Sequence, residues 1–350
     1  MDNVKPIKPI KVPKLLIIGV DGGDYQSFLE NKPSPEFNCN LMYSFKHPYM
    51  VTGAAWSSLY SGILPQNHKV THTWGVSVPA EGRKNLIESG ITTFWQHLNR
   101  HGKTVELVNL PLTYPPQALN RFMISGFPVF DHLDPATKIT YPDTVRLPDE
   151  YMKYLDVVFS ETKNLEVTNE SAIAWIKILV EEYQSKSTEQ CIELLLKYAR
   201  LKLDALKLNH SNDADLVMVC YMAIDRACHV GLLNSPASVT YLYKEMNKLI
   251  MDTIKAVPAD NVWVVSDHGS AGIEHRISSV FLHTGKDMRK DCDGKLTLDI
   301  IDIAPAIYYL FDLPLPVLID GLVPYQVFEK SRVEVDQLKL KTALSSLGYI

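Results

Sequence analysis

No stretch of this 350-residue sequence stays apolar for the roughly 18 residues a membrane-spanning helix needs, so a membrane span is not indicated. Cysteine is sparse. Cys39, Cys191, Cys220, Cys228 and Cys292 are odd in number and scattered, and no two form a Cys-x-x-Cys pair. That excludes a zinc ribbon and a thioredoxin-type motif, gives no disulfide framework, and reads as reduced thiols in a cytoplasmic protein. Long basic runs are missing too. With 35 basic against 40 acidic residues and a net charge of −5, binding to a nucleic-acid polymer is not indicated. Met1 to Lys14 alternates Lys and Pro with single apolar residues and lacks the apolar core of a signal peptide, so it reads as a flexible leader. No repeat, low-complexity tract or polar linker divides the chain, and nothing in the pattern sets an oligomeric state.

The chain does contain short, continuous apolar runs: Leu15 to Val20, Thr104 to Val108, Leu216 to Met222, Val262 to Val265 and Ser279 to Leu282. Runs of this kind suit strands covered on both faces, and the spacing between them leaves room for crossover helices. They predict an α/β fold: a mostly parallel central sheet with helices on both faces, spanning residues 15–330 and followed by a tail over 331–350. Two long helices fit Asn169 to about Leu208, where Ile192, Leu195, Leu196, Ala199 and Leu203 recur at helical spacing. Ser187 with Gln190 is a capping-box signature for the second of them. Pro128, Pro135, Pro142 and Pro148 mark 126–168 as irregular. Residues 126–210 together read as an insertion that walls or lids a site.

Four of the runs lead to polar residues: to Asp21, to Asn109, to Asp225, and to Asp267 with His268. In open parallel sheets ligands bind beyond the carboxyl ends of the strands, so these residues are expected to converge. Asp21, Asp225, His229, Asp267, His268 and His275 form a mixed nitrogen and oxygen set suited to two divalent metals, with zinc the default and manganese or iron able to fill the same geometry. Local alternatives exist: Asp21-Gly22-Gly23 also makes a good turn, and Asp225 with His229 a one-turn ion pair. Val51 to Gly62 reads as a loop entering a short helix closed by Gly62, with Thr52 at its N-terminus as the candidate nucleophile. There the free amides favour a phosphate, and Gly53 allows close approach. His72, Thr73 and Asn109 are candidate secondary substrate contacts. Trp56, Trp74 and Trp95 read as packing residues.

The order Asp, Thr, Asp-x-x-x-His, Asp-His-Gly, His resembles the alkaline phosphatase superfamily, in its type I phosphodiesterase and nucleotide pyrophosphatase branch. The strings that carry the likeness are Leu16 to Gly22, Thr52 to Gly62 with Pro65-Gln66-Asn67-His68, Asp225 to His229, and Ser266-Asp267-His268-Gly269. Val108 to Pro116 with Ile124-Ser125-Gly126-Phe127 is similar to that branch's predicted phosphohydrolase/phosphomutase subgroup. Asp302 to Ile307, continuing through Pro314-Leu315-Pro316 to Asp320-Gly321, resembles the superfamily's closing structural segment.

The resemblance implies that Asp225, His229 and a late histidine hold one metal, that Asp21, Asp267 and His268 hold the other, and that Thr52, also a metal-binding residue, bridges near both. The late histidine is His275, with His283 as the fallback. A small-molecule phosphate ester is the implied substrate, cleaved through a phosphothreonine. Val70 to Trp74 holds no Asn where nucleotide pyrophosphatases carry a phosphate-binding one, which points away from a nucleotide diester. Thr52-Gly53-Ala54-Ala55 is not a sulfatase nucleophile motif. A phosphomutase of the same superfamily and a catalytically degenerate binding protein are the alternatives.

Overall fold

The computed structural model describes residues 12–70, 90–114, 116–126, 139–153 and 186–346. All five apolar runs become strands of one nine-stranded sheet: β1 (Leu15–Val20), β3 (Val105–Leu110), β6 (Leu216–Tyr221), β7 (Asn261–Val265) and β10 (Ser278–Gly285). Four further strands complete it: β2 (Asn38–Tyr43), β4 (Phe122–Ser125), β5 (Thr140–Tyr141) and β11 (Thr297–Asp299), in the order β11-β2-β10-β7-β1-β6-β3-β4-β5. β1 pairs in parallel with β6 and β7, β3 with β6 and β4, and β11 with β2. β10 runs antiparallel to β7 and β2, and β5 to β4. β8 (Gly269–Ala271) and β9 (Glu274–Arg276) form a separate hairpin.

β1 and β6 are apolar throughout because each face of the sheet has its own core. Leu16, Ile18 and Val20 of β1 join one hydrophobic cluster, while Leu15 and Ile17 join the other. β6 divides likewise, with Val217 and Val219 on one side and Leu216 and Met218 on the other. Each such side chain, fully buried, contributes roughly 1.5–3 kcal/mol. The first face is covered by α1 (Tyr25–Glu30), α5 (Thr188–Asn209), α6 (Ala223–His229) and α7 (Pro236–Ala256), and the second by α2 (Thr52–Ser61), α4 (Phe94–Arg100) and α8 (Ile303–Leu310). The short α3 (Pro65–His68) follows α2, and residues 331–346 of the expected tail lie in α9 (Lys330–Ser346).

Ser187 caps α5 as its sequence indicates: the Gln190 amide donates to Ser187 Oγ and the Ser187 amide to Gln190 Oε1. The predicted helical face, Ile192, Leu195, Leu196, Ala199 and Leu203, is buried in the first cluster, against α6 and α7. This half of the expected wall or lid is therefore a layer of the core. The preceding helix expected from Asn169, and most of the irregular stretch 126–168, lie outside the described residues. The closing segment is structural: the amides of Asp320 and Gly321 donate to Gly62 O, and Asp320 Oδ2 accepts from Leu64 N and Asn67 Nδ2. It thereby holds the C-terminal end of α2.

Candidate metal centre and active site

The neighbouring strands β6, β1 and β7 send the chain out of their carboxyl ends toward Asp225, Asp21 and the Asp267–His268 pair. Asp21 runs directly into Gly22, whose φ of +75° suits glycine, and a Cβ there would come within 2.9 Å of Asp225 N and Cα. That close approach lets the Asp225 amide donate to Asp21 O at 3.1 Å, which seats α6 on the turn after β1. His275 arrives on the β8–β9 hairpin, opposite Ser270.

The side chains meet at their ligand atoms. His268 Nε2 lies 3.1 Å from Asp267 Oδ2, 3.9 Å from Asp21 Oδ1 and 4.0 Å from Asp225 Oδ1. His275 Nε2 lies 3.2 Å from Asp225 Oδ1 and 3.2 Å from His229 Nε2, and His229 Nε2 is 3.4 Å from Asp225 Oδ1. Two groups have ligand atoms close enough to share a cation: Asp21, Asp267 and His268, and Asp225, His268 and His275. His229 borders the second. The six Asp and His residues proposed from the sequence as ligands are thus in one place. His283, the fallback, is not: it is buried in β10 with Nε2 3.3 Å from Asn40 Nδ2 and 3.5 Å from Cys292 Sγ.

Their other atoms are fixed by partners. Gly22 N donates to Asp267 Oδ1, Trp56 Nε1 to Asp21 Oδ2 and Gly23 N to Ser266 Oγ. A carbonyl oxygen can only accept, so the contacts of His268 Nδ1 with Gly269 O and of His275 Nδ1 with Met50 O place those protons on Nδ1. Each Nε2 then turns a lone pair to the cluster. Asp21 Oδ1, Asp225 Oδ1, Asp267 Oδ2 and His268 Nε2 are buried without any hydrogen-bond partner. Four such orphans in one place would be costly on their own, and a divalent cation is the partner that would satisfy carboxylate oxygens and imidazole nitrogens together. The residues fit the group.

The charges point the same way. Burial and then the Asp267 and Asp225 carboxylates push the Asp21 carboxyl well above its usual range. Burial and Asp225 push Asp267 up to about 8. Burial also raises Asp225, but His229 and His275 facing it outweigh that and hold it well below the ordinary value. Burial and His275 push His268 down to about 3. Burial and mutual repulsion thus disfavour the charged forms of Asp21 and Asp267, a penalty that a bound cation would remove.

Thr52 opens α2 and is buried. Its N-cap is Val51, which supplies no side-chain acceptor, so the first amides of α2 have no side-chain cap. Gly62 ends the helix at φ +70°. The His275 Nδ1 contact with Met50 O, at 3.4 Å, ties the entry of α2 to the Asp and His cluster. Gly53 is buried beside Thr52. His68 is a framework residue: Nδ1 accepts from Val70 N, so Nε2 carries the proton and donates to Ser58 Oγ at 2.8 Å.

Asn109 does reach the carboxyl end of β3, with φ +60°, but its amide donates to Cys220 O at 2.8 Å and ties β3 to β6. His72 and Thr73 lie outside the described residues. Sequence reasoning took Trp56 for packing alone and missed its bond to Asp21. Its position one helical turn after Thr52 was the available signal. All five cysteines are free and buried, and among the described residues no helix is long and apolar enough to cross a membrane.

Residues 16–308 match the model of the type I phosphodiesterase/nucleotide pyrophosphatase family. The chain belongs to that family. It is a hydrolase acting on phosphoric ester bonds. Among solved structures, wild-type alkaline phosphatase PafA superposes with a TM-score of 0.55 at 12% identity, over 92% of this chain and 100% of that one. Murine ectonucleotide pyrophosphatase/phosphodiesterase 5 gives 0.53 at 11% identity, over 90% and 100%. Its human counterpart gives 0.53 at 11%, over 91% and 100%. These likenesses are of fold. Among curated proteins no sequence matches the chain.

Proposed function

We propose that this family member cleaves a small-molecule phosphate ester at a two-metal centre, with Thr52 as the nucleophile. Asp21, Asp267 and His268 would hold one divalent ion, and Asp225, His229 and His275 the other, with zinc the best match to the donor set and manganese or iron suited to the same ligands. When bound, such ions neutralise phosphate charge and lower the pKa of an oxygen nucleophile. The observation that carries the reading is the set of four unpartnered buried ligand atoms brought together by the turn after β1, α6, the segment after β7 and the β8–β9 hairpin.

The chain's own residues then divide the work. The uncapped amides at the start of α2 bind the phosphoryl oxygens, and Gly53 leaves room for them. Thr52 Oγ1 loses its proton and attacks phosphorus, the P–O bond to the leaving group breaks, and the departing oxygen takes up a proton. Water then attacks the phosphothreonine, the bond to Thr52 Oγ1 breaks, and the threonine hydroxyl is restored.

Hydrolysis of a chromogenic phosphate monoester and diester, measured side by side with added Zn2+ or Mn2+, tests this. Cleavage that disappears in Thr52→Ala supports the nucleophile, and the faster ester gives the substrate class. Transfer to a second hydroxyl of the substrate in place of water would convert the reading to a phosphomutase. Metal binding without cleavage of either ester or transfer would favour a binding protein.

A further inference from the structure

We infer that Trp56 is a positioning residue for the metal centre: its indole N–H holds Asp21 by Oδ2 and leaves Oδ1 alone to face a cation. The bond is 2.8 Å long and fully buried. An indole nitrogen is a donor only, so it cannot exchange roles with the carboxylate, and Asp21 is left with one free oxygen. The inference rests on the two-metal reading proposed above.

A second, independent feature shows that the indole is held in place. Gly19 lies on β1 against the ring: a Cβ there would stand 2.8 Å from Trp56 Cη2 and 3.1 Å from Cys220 Sγ. Glycine in the middle of a strand weakens it, and close approach of another group is a common reason for one. On the helix itself Tyr60 stacks on Trp56, with centroids 5.6 Å apart and planes at 28°. The ring is therefore fixed from β1 and from α2.

The consequence is mechanical. Thr52 and Trp56 are one turn apart on α2, so the same rigid helix places the nucleophile and orients a metal ligand. A carboxylate without its outer donor would rotate, and outer-sphere partners of metal ligands typically account for about 10–100-fold in affinity.

The test is Zn2+ binding to the metal-stripped full chain by competition with a chromophoric chelator, on wild type, Trp56→Phe and Gly19→Ala. Trp56→Phe keeps a ring and removes the donor. Gly19→Ala keeps the donor and displaces the ring. Both are expected to weaken one of two Zn2+ sites by about 10–100-fold and to leave the other unchanged.

Wild-type affinities at both sites in the two variants would overturn the inference while leaving the metal centre intact. A wild-type chain that binds no Zn2+ would overturn both. Should Trp56→Phe fail to fold, 15N-indole spectra of the wild type decide. One of the five tryptophan N–H signals, the one that Gly19→Ala moves, is expected to shift with Zn2+, and five unresponsive signals would contradict it.

Discussion

His275 Nε2 stands 3.2 Å from Asp225 Oδ1, across the gap between the β8–β9 hairpin and the helix that follows β6. His283, the other late histidine, faces Asn40 and Cys292. The two can be separated by substitution. His275→Ala is expected to cut ester hydrolysis by at least about 100-fold, because a direct ligand should cost no less than an outer-sphere one. His283→Ala is expected to lower thermal stability while retaining most of the activity per folded molecule. Loss of activity in the second variant alone would reverse the assignment.

Metal should also stabilise the fold. A cation that binds the folded centre only, at 100 times its dissociation constant, adds about 2.7 kcal/mol per site. Chelation is therefore expected to lower the melting temperature and added Zn2+ or Mn2+ to restore it. Asp21→Asn with Asp267→Asn should raise the metal-free melting temperature, since burial and mutual repulsion push both carboxyls up. Differential scanning calorimetry with and without chelator checks both. An unchanged melting temperature across all these conditions would count against the centre.

Gly22 is the position where backbone freedom matters most for the site. Its φ is +75° and a Cβ would overlap Asp225 backbone atoms at 2.9 Å. Gly22→Ala is expected to cost at least about 1–2 kcal/mol from conformation alone, more once α6 is pushed away. Urea unfolding measures the loss. Retention of wild-type stability and metal affinity would show that the turn tolerates a side chain.

Two buried histidines outside the metal centre should make the protein sensitive to acid. Burial lowers His68 and His283 from the ordinary 6.5 to about 4. Between those values the unfolded chain binds the proton at these two sites and the folded one does not, so their contribution to stability falls as pH drops from 6.5 toward 4. The gap corresponds to up to about 3 kcal/mol for each histidine. Urea midpoints at pH 7 and pH 5 follow the change, and His283→Gln should flatten the slope. A pH 7 to pH 5 difference that is the same in His283→Gln as in wild type would contradict the assignment of a neutral, buried imidazole.

The centre of the fold was legible because β1, β6 and, from Val262 on, β7 are buried on both faces and therefore apolar at every position. β2 was not: its Asn38 and Asn40 are buried polar residues whose side chains bond the 289–296 segment, which breaks the apolar run. The short strands β4, β5 and β11 lie at or beside the sheet ends and carry too little pattern to read. Asp21, Asp225 and Asp267–His268 could be read because strand ends converge in a parallel sheet. Trp56 could not, since an indole looks like core until its N–H is seen to reach Asp21. Asn109 stands at the carboxyl end of β3 as expected, and its bond to the carbonyl of a neighbouring strand could not be read from the sequence.

Thr52 as the acceptor of the phosphoryl group is the central claim. The most direct measurement is acid quench of the metal-loaded enzyme during turnover of a chromogenic phosphate ester, followed by peptide mass spectrometry. A phosphoryl group on the peptide containing Thr52, absent from Thr52→Ala, is the expected result. Phosphate on another residue, or undiminished turnover in Thr52→Ala, would contradict it.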